Sequence, residues 1–280
     1  MINWEQGLVF GIIQGLTEFL PVSSSGHLAL AQSLFKGFEQ PGVLFDVAMH
    51  VATSVAVVVY FRKELVGLLK RSGDKEAEMS GVGKLERIHW TLVWPIVLAM
   101  IPTGIIGYSL KHKVESTFKE PIYVGYFLLI TAVVLIAADF VARKNKDTLK
   151  AADPNLWQSI VIGIAQGLAV FPGISRSGST ISAGIFTGVR GDYAARFSFL
   201  LSVPAVLAAA ALSVLKERHA ITALSSNEIL AYLLGMAAAF AVGYLTIGWM
   251  FKIVRRVRLS WFGIYCLVAG GATVIILSLR

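Results

Sequence analysis

Six apolar runs, at 43–61, 90–110, 122–141, 197–215, 229–251 and 261–279, are each long enough to carry an α-helix across the roughly 30 Å hydrocarbon core of a bilayer. A soluble domain cannot bury six such segments in a chain of 280 residues, of which 56% are hydrophobic and only 15% charged. The expected fold class is therefore an all-α integral membrane protein with six transmembrane helices. Two more apolar stretches, 8–20 and 160–171, are too short to span. Each runs into Pro, Gly and Ser and then resumes as a second short piece, 28–35 and 181–189. This pattern predicts two re-entrant helix-loop-helix hairpins, at 7–36 and 157–189.

The two hairpins repeat each other. At an offset of 152, residues 11–26 (GIIQGLTEFLPVSSSG) and 163–178 (GIAQGLAVFPGISRSG) agree at nine of 16 positions. Each copy is followed by three spans, an odd number, so the second half must sit upside down relative to the first. The chain 1–280 thus reads as a single membrane domain built from an inverted-topology repeat, about 1–141 and about 155–280. Broken hydrophobic segments in corresponding positions of two halves point to a site near the membrane midplane. Irregular backbone at that depth needs protein or a water-filled cavity to satisfy it, and the Ser, Gly and Arg of both tips suit a wet cavity. Gly7, Gly11 and Gly15, like Gly163 and Gly167, recur every four residues and offer small faces for close helix packing.

The formal charge of +8 does not point to nucleic acid, because the charges crowd the ends of the spans. Seventeen Lys and Arg fall in the connections 62–89, 142–156, 190–196 and 252–260, against seven in the connections of the opposite side. That bias places both termini outside the cytoplasm, with the first hairpin entering from outside and the second from inside. The N-terminal MINWEQGLVF lacks the basic lead and cleavage site of a secretory signal, so no processing is expected. Cys266 is the single cysteine and forms no intrachain disulfide.

Against this background the polar residues of the tips carry the chemistry. Gln14 and Glu18, four apart, share one helical face and can converge on a single ligand. An ionised carboxylate at that depth costs roughly 2.5–3.5 kcal/mol on insertion scales unless a cation or polar cavity compensates it. Glu18 therefore reads as a metal- or proton-handling group. Ser23, Ser24, Ser25 and His27 follow within one turn. A nucleophilic serine needs a base that His27 or Glu18 can supply; alone, the serines read equally well as a helix N-cap. The second tip sets Ser175, Arg176, Ser177, Gly178, Ser179 and Thr180 before a short apolar helix. Hydroxyls, free N–H groups and one guanidinium make a cradle for phosphate there. Carboxylate, nucleophile, base and anion clamp together are the kit for phosphoryl transfer. His50, four residues after Asp46, and Gln166, the second copy of Gln14, are candidate supports with Gln14 and Ser25. Asp139, His89, His112, His219, the charge run RKELVGLLKRSGDKEAE and the VRRVR at 254–258 read as interfacial or solvated features.

QGLTEFLPVSSSGH and PGISRSGST together resemble the paired signatures of the undecaprenyl-diphosphate phosphatases associated with bacitracin resistance, and the similarity extends over FDVAMHVATSVAVVVYF and FSFLLSVPA. The resemblance implies a bacterial plasma-membrane enzyme that hydrolyses the diphosphate of a C55 carrier lipid on the extracytoplasmic side and returns the monophosphate to cell-wall synthesis. It implies dependence on a divalent cation, Mg2+ or Ca2+. Carried over by position, Glu18, Ser24, His27 and Arg176 are the essential residues, with Ser23, Ser175, Ser177 and Thr180 contacting phosphate. Gln14 falls where members carry Glu or Gln, and its neutral amide leaves one carboxylate fewer for the metal.

The mechanism expected from this set has Ser24 attack the terminal phosphorus while His27 moves the proton; His27 or a water is the alternative nucleophile. Partners are then the polyprenyl diphosphate and the bilayer, with a homodimer left open. The strongest rival is a lipid transporter or flippase, alone or combined with hydrolysis, because inverted repeats and broken helices are transporter architecture. A type-2 phosphatidic-acid phosphatase would need a Lys-Arg-Pro motif and a terminal His-Asp pair that the chain lacks. A structural scaffold leaves Glu18 and Arg176 unexplained.

Overall fold

The computed structural model describes residues 2–35, 44–63, 65, 92–117, 120–150, 152–256 and 258–279. His89, most of the charge run and the side chains at 254–257 lie outside the described set. The chain forms helices α1 (Trp4–Thr17), α2 (Ser24–Leu34), α3 (Leu44–Tyr60), α4 (Val93–Thr117), α5 (Pro121–Lys144), α6 (Leu156–Leu168), α7 (Arg176–Phe186), α8 (Gly191–Lys216), α9 (Arg218–Thr222), α10 (Ser226–Arg256) and α11 (Leu259–Ser278). The one β pairing among the described residues is an isolated parallel bridge between Lys150 and Val189. Five helices, α4, α5, α8, α10 and α11, are long and apolar enough to cross a membrane, with mean hydropathies of 1.7 to 2.3. The molecule is thus an all-helical, multi-pass membrane protein. The first of the six expected spans, 43–61, appears as the 17-residue α3, whose rise of about 26 Å falls just short of the hydrocarbon thickness.

The 152-residue offset extends beyond the identities visible in the sequence. Asn3 and Gln6 form a capping box that starts α1, and Asn155 and Gln158 form the same box at the start of α6. In each, the Asn side chain accepts from the Gln backbone N–H while the Gln side chain accepts from the Asn N–H, so two otherwise orphaned donors are satisfied. Ser23 then caps α2 by accepting from Gly26 N, and Ser175 caps α7 by accepting from Gly178 N. Both second helices are 11 residues long. Neither arm of either hairpin has the length to span: α1, the longest, has 14 residues and rises about 21 Å.

The glycines decide what each hairpin leans on. A Cβ at Gly7 would lie 2.3 Å from Ala231 O, and one at Gly11 2.2 Å from Gly235 O, both on α10. A Cβ at Gly163 would lie 2.2 Å from Ala99 O, and at Gly167 2.8 Å from Ile106 Cβ, both on α4. The first hairpin therefore packs on the second half and the second hairpin on the first half. Without a hydrophobic drive between helices in lipid, backbone-to-backbone approach of this kind is a principal source of attraction. The last spans of the two halves, α5 and α11, pair through Gly125 and Gly270 in the same way.

Because the obstructing atoms are backbone, Gly11→Ala and Gly163→Ala should each cost at least the 1–3 kcal/mol of an overpacked core, about as much as two helices forced apart. Gly104 and Gly271 have nothing within 4 Å of an added Cβ, so Gly104→Ala and Gly271→Ala should leave the unfolding midpoint in detergent unchanged. Equal midpoints for all four variants would contradict this packing.

Candidate active site

The two hairpin tips are stitched together by hydroxyls. Ser23 Oγ accepts from Gly173 N of the second tip at 3.1 Å, besides capping its own helix. Ser177 Oγ returns the contact by donating to Leu20 O at 3.0 Å. Thr131 of α5 holds the second tip from outside: it accepts from Ser175 N at 3.0 Å and donates to Gly173 O at 2.9 Å. Ser23 sits at φ 68°, the one non-glycine residue with positive φ among the described residues. That left-handed backbone costs an L-residue roughly 1–2 kcal/mol, which the cross-tip bonds must offset. Gly173, at φ 103°, packs its α-carbon against Val124 O, where a Cβ would come within 2.5 Å.

Glu18 is the centre of the joined tips. It is 5% exposed, and every donor around it comes from a different part of the sequence. Its Oε1 accepts from Arg176 Nη2 in an ion pair that links the two hairpins. Its Oε2 accepts from Ser24 Oγ at 2.5 Å and from Gln14 Nε2 at 2.8 Å, and His50 Nδ1 of α3 lies 3.1 Å away. His50 Nδ1 also lies 2.8 Å from Gln14 Nε2. A buried carboxylate is tolerable only when paired and hydrogen-bonded in this manner. Arg176 is not exhausted by the pairing, for its Nη1 is buried and has no hydrogen-bond partner. An unpartnered guanidinium N–H next to serine hydroxyls and a helix start is a binding position for an anionic oxygen.

His27 Nδ1 is 2.8 Å from Ser23 O and its Nε2 is 2.7 Å from the hydroxyl of Tyr265. The hydroxyl of Ser24 donates to Glu18, because the 18–23 turn folds the carboxylate back over the start of α2. Ser175 Oγ and Ser177 Oγ are 3.3 Å apart beside Arg176, and Ser25 Oγ lies 3.5 Å from Ser23 Oγ. Thr180 is fully buried and is engaged elsewhere, donating back to Arg176 O and lying 2.6 Å from Ser198 Oγ on α8. Gln166 sits with Thr103 of α4 at 3.3 Å, away from Glu18. Tyr265, Thr131 and Ser198 belong to the surroundings of the tips, and nothing in their local sequence sets them apart from ordinary span residues.

Among the described residues no three His, Cys, Asp or Glu side chains cluster as a metal cage. What the chain offers is one carboxylate, Glu18, and one buried amide oxygen, Gln14 Oε1, which lacks a hydrogen-bond partner. Two oxygen donors fit a hard divalent cation that completes its sphere with substrate phosphate and water, the usual habit of Mg2+.

The family profile described as "Bacitracin resistance protein BacA" matches residues 7–272. Among individual proteins, the chain is 38% identical over 282 residues to an "Undecaprenyl-diphosphatase" of Methanosphaera stadtmanae, covering 99% of each chain. It is 41% identical over 270 residues to one of Syntrophotalea carbinolica, covering 96% of this chain and 97% of the relative. It is 39% identical over 279 residues to one of Desulforudis audaxviator, covering 100% of both.

Proposed function

The chain belongs to the bacitracin resistance protein BacA family, and on that premise we propose that it hydrolyses undecaprenyl diphosphate to undecaprenyl phosphate and inorganic phosphate. The observation that carries this reading is the junction of the tips, where Arg176 bonds Glu18 with one nitrogen and leaves buried Nη1 without a partner. Arg176, Ser175 and Ser177 hold the terminal phosphate. Ser24 Oγ attacks its phosphorus and passes its proton to Glu18, to which it is bonded at 2.5 Å. The bond from phosphorus to the bridging oxygen breaks, and undecaprenyl phosphate leaves. Water then attacks the phosphoserine phosphorus while His27 takes its proton, the bond from phosphorus to Ser24 Oγ breaks as Glu18 returns its proton to that oxygen, and inorganic phosphate leaves. Glu18 and Gln14 Oε1 would hold a divalent cation, Mg2+ or Ca2+, which when bound neutralises charge on the phosphate oxygens. An acid-labile phosphohistidine trapped at His27 would replace Ser24 as nucleophile.

The finer architecture belongs to the same proposal. Two re-entrant hairpins in an inverted repeat are supported by the matched capping boxes, the matched serine caps and the crossed glycine contacts. The excess of Lys and Arg in four connections favours both termini outside the cytoplasm, and a bacterial plasma membrane with the site on the extracytoplasmic side follows from the family resemblance alone.

Purified protein should release phosphate from undecaprenyl diphosphate when Mg2+ or Ca2+ is present and stop when a chelator is added. A well-folded protein that releases none with any divalent cation would make lipid transport the leading reading.

A further inference from the structure

We propose that Tyr265 is a positioning residue for His27, holding its imidazole in the direction in which it works by donating to Nε2. The proposal rests on the phosphatase reading above, and the geometry beneath it does not. Ser23 O is a carbonyl and can only accept, so the 2.8 Å contact requires the proton on His27 Nδ1. A neutral imidazole protonated at Nδ1 has its lone pair on Nε2, and the hydroxyl of Tyr265, 2.7 Å away, donates to it. The two rings also stack, with centroids 5.6 Å apart and planes 10° from parallel. The Ser23 carbonyl sets the tautomer, and the Tyr265 hydroxyl holds Nε2 and with it the rotation of the imidazole about its stem.

The source of the tyrosine adds to the argument. It lies on α11, 238 positions along the chain from His27. Tyr265 is 48% exposed, so its contact with Nε2 lies at the protein surface, where a water or substrate oxygen can take the place of the phenol hydroxyl. In the serine hydrolases the group that selects the tautomer bonds Nδ1, the role Ser23 O takes here, so Tyr265 acts instead on the working nitrogen by holding its lone pair in place.

The test uses intact protein labelled with 15N-histidine in detergent micelles, with the signals of His27, one of five histidines, identified by their loss in His27→Gln. Wild type should show a protonated Nδ1 and an unprotonated, hydrogen-bonded Nε2; a majority of the Nε2–H tautomer would overturn the proposal without any variant. Tyr265→Phe keeps the ring stack and should shift the Nε2 signal toward that of an imidazole nitrogen bonded to water, with the proton still on Nδ1. It should lower kcat for phosphate release roughly tenfold with little change in KM, a fraction of the 10²–10⁴ that acid–base catalysis supplies. In a His27→Gln background the same change should have no further effect, since its action passes through the imidazole. Unaltered His27 signals together with unaltered kcat in Tyr265→Phe would reduce the tyrosine to packing. If wild type releases no phosphate, the enzymatic reading fails, while the nitrogen spectrum still decides the positioning.

Discussion

Arg176→Lys is expected to keep the fold and lose roughly 10² to 10⁴ in kcat/KM for phosphate release. The guanidinium serves two acceptors at once: Nη2 bonds Glu18, and Nη1 is buried and free for the incoming phosphate. Lysine carries the same charge on a single compact ammonium and cannot hold both in the fixed fork geometry. Losing one or two charge-assisted bonds at about 1.5–3 kcal/mol each gives the stated range. Arg176→Ala should lose more and should also destabilise the protein by about 3–5 kcal/mol, because Glu18 would be left buried without its cation. Lysine thus separates the two effects. The measurement is steady-state phosphate release alongside the unfolding midpoint in detergent. A lysine variant within threefold of wild type would show that the guanidinium is structural.

Much of this arrangement was readable before any coordinates. The paired short helices could be predicted because two apolar stretches too short to span are broken by Pro, Gly and Ser, and the glycines at fourfold spacing announced close helix contacts, which fall on α10 and α4. The repeat also carries a division of labour: at the 152-residue offset Ser24 corresponds to Arg176 and Glu18 to Val170. The same position of the repeat is a hydroxyl in one tip and a guanidinium in the other, and only the first tip has a carboxylate. What could not be read was anything set by a neighbouring helix. His27 and Glu18 could each serve as base for Ser24 by spacing, and the hydrogen bond from Ser24 to Glu18 depends on how the 18–23 turn folds back. The resemblance implied Thr180 as a phosphate contact, and its hydroxyl bonds back into its own turn and lies beside Ser198. Such back-bonding is common for threonine within helices and is invisible to spacing. Tyr265 and Thr131 lie in ordinary apolar spans, so no local pattern marks them.

Glu18→Gln should separate binding from chemistry in the opposite sense to the arginine variants. The isosteric amide retains the volume of the site and can still accept from Ser24 or Arg176 through its one oxygen. It cannot take a proton from Ser24, so kcat should fall by about 10²–10⁴, the usual contribution of a positioned base. KM should stay level or fall, because Arg176, freed from its counter-charge, has more of its donors and its full charge to give to the diphosphate. A mutation that lowers kcat without raising KM removes an interaction made in the transition state and not in the ground state. Arg176→Lys should instead raise KM, since the clamp acts on bound substrate as well. If Glu18 served chiefly to hold the cation, the amide would weaken metal binding, and raising Mg2+ or Ca2+ would restore much of the lost rate. Rescue by metal would therefore move the base elsewhere, and failure of rescue together with a level KM would leave Glu18 as the acceptor of the Ser24 proton. A transporter with no hydrolytic step would show neither pattern, because its phosphate release would be absent in wild type and variants alike.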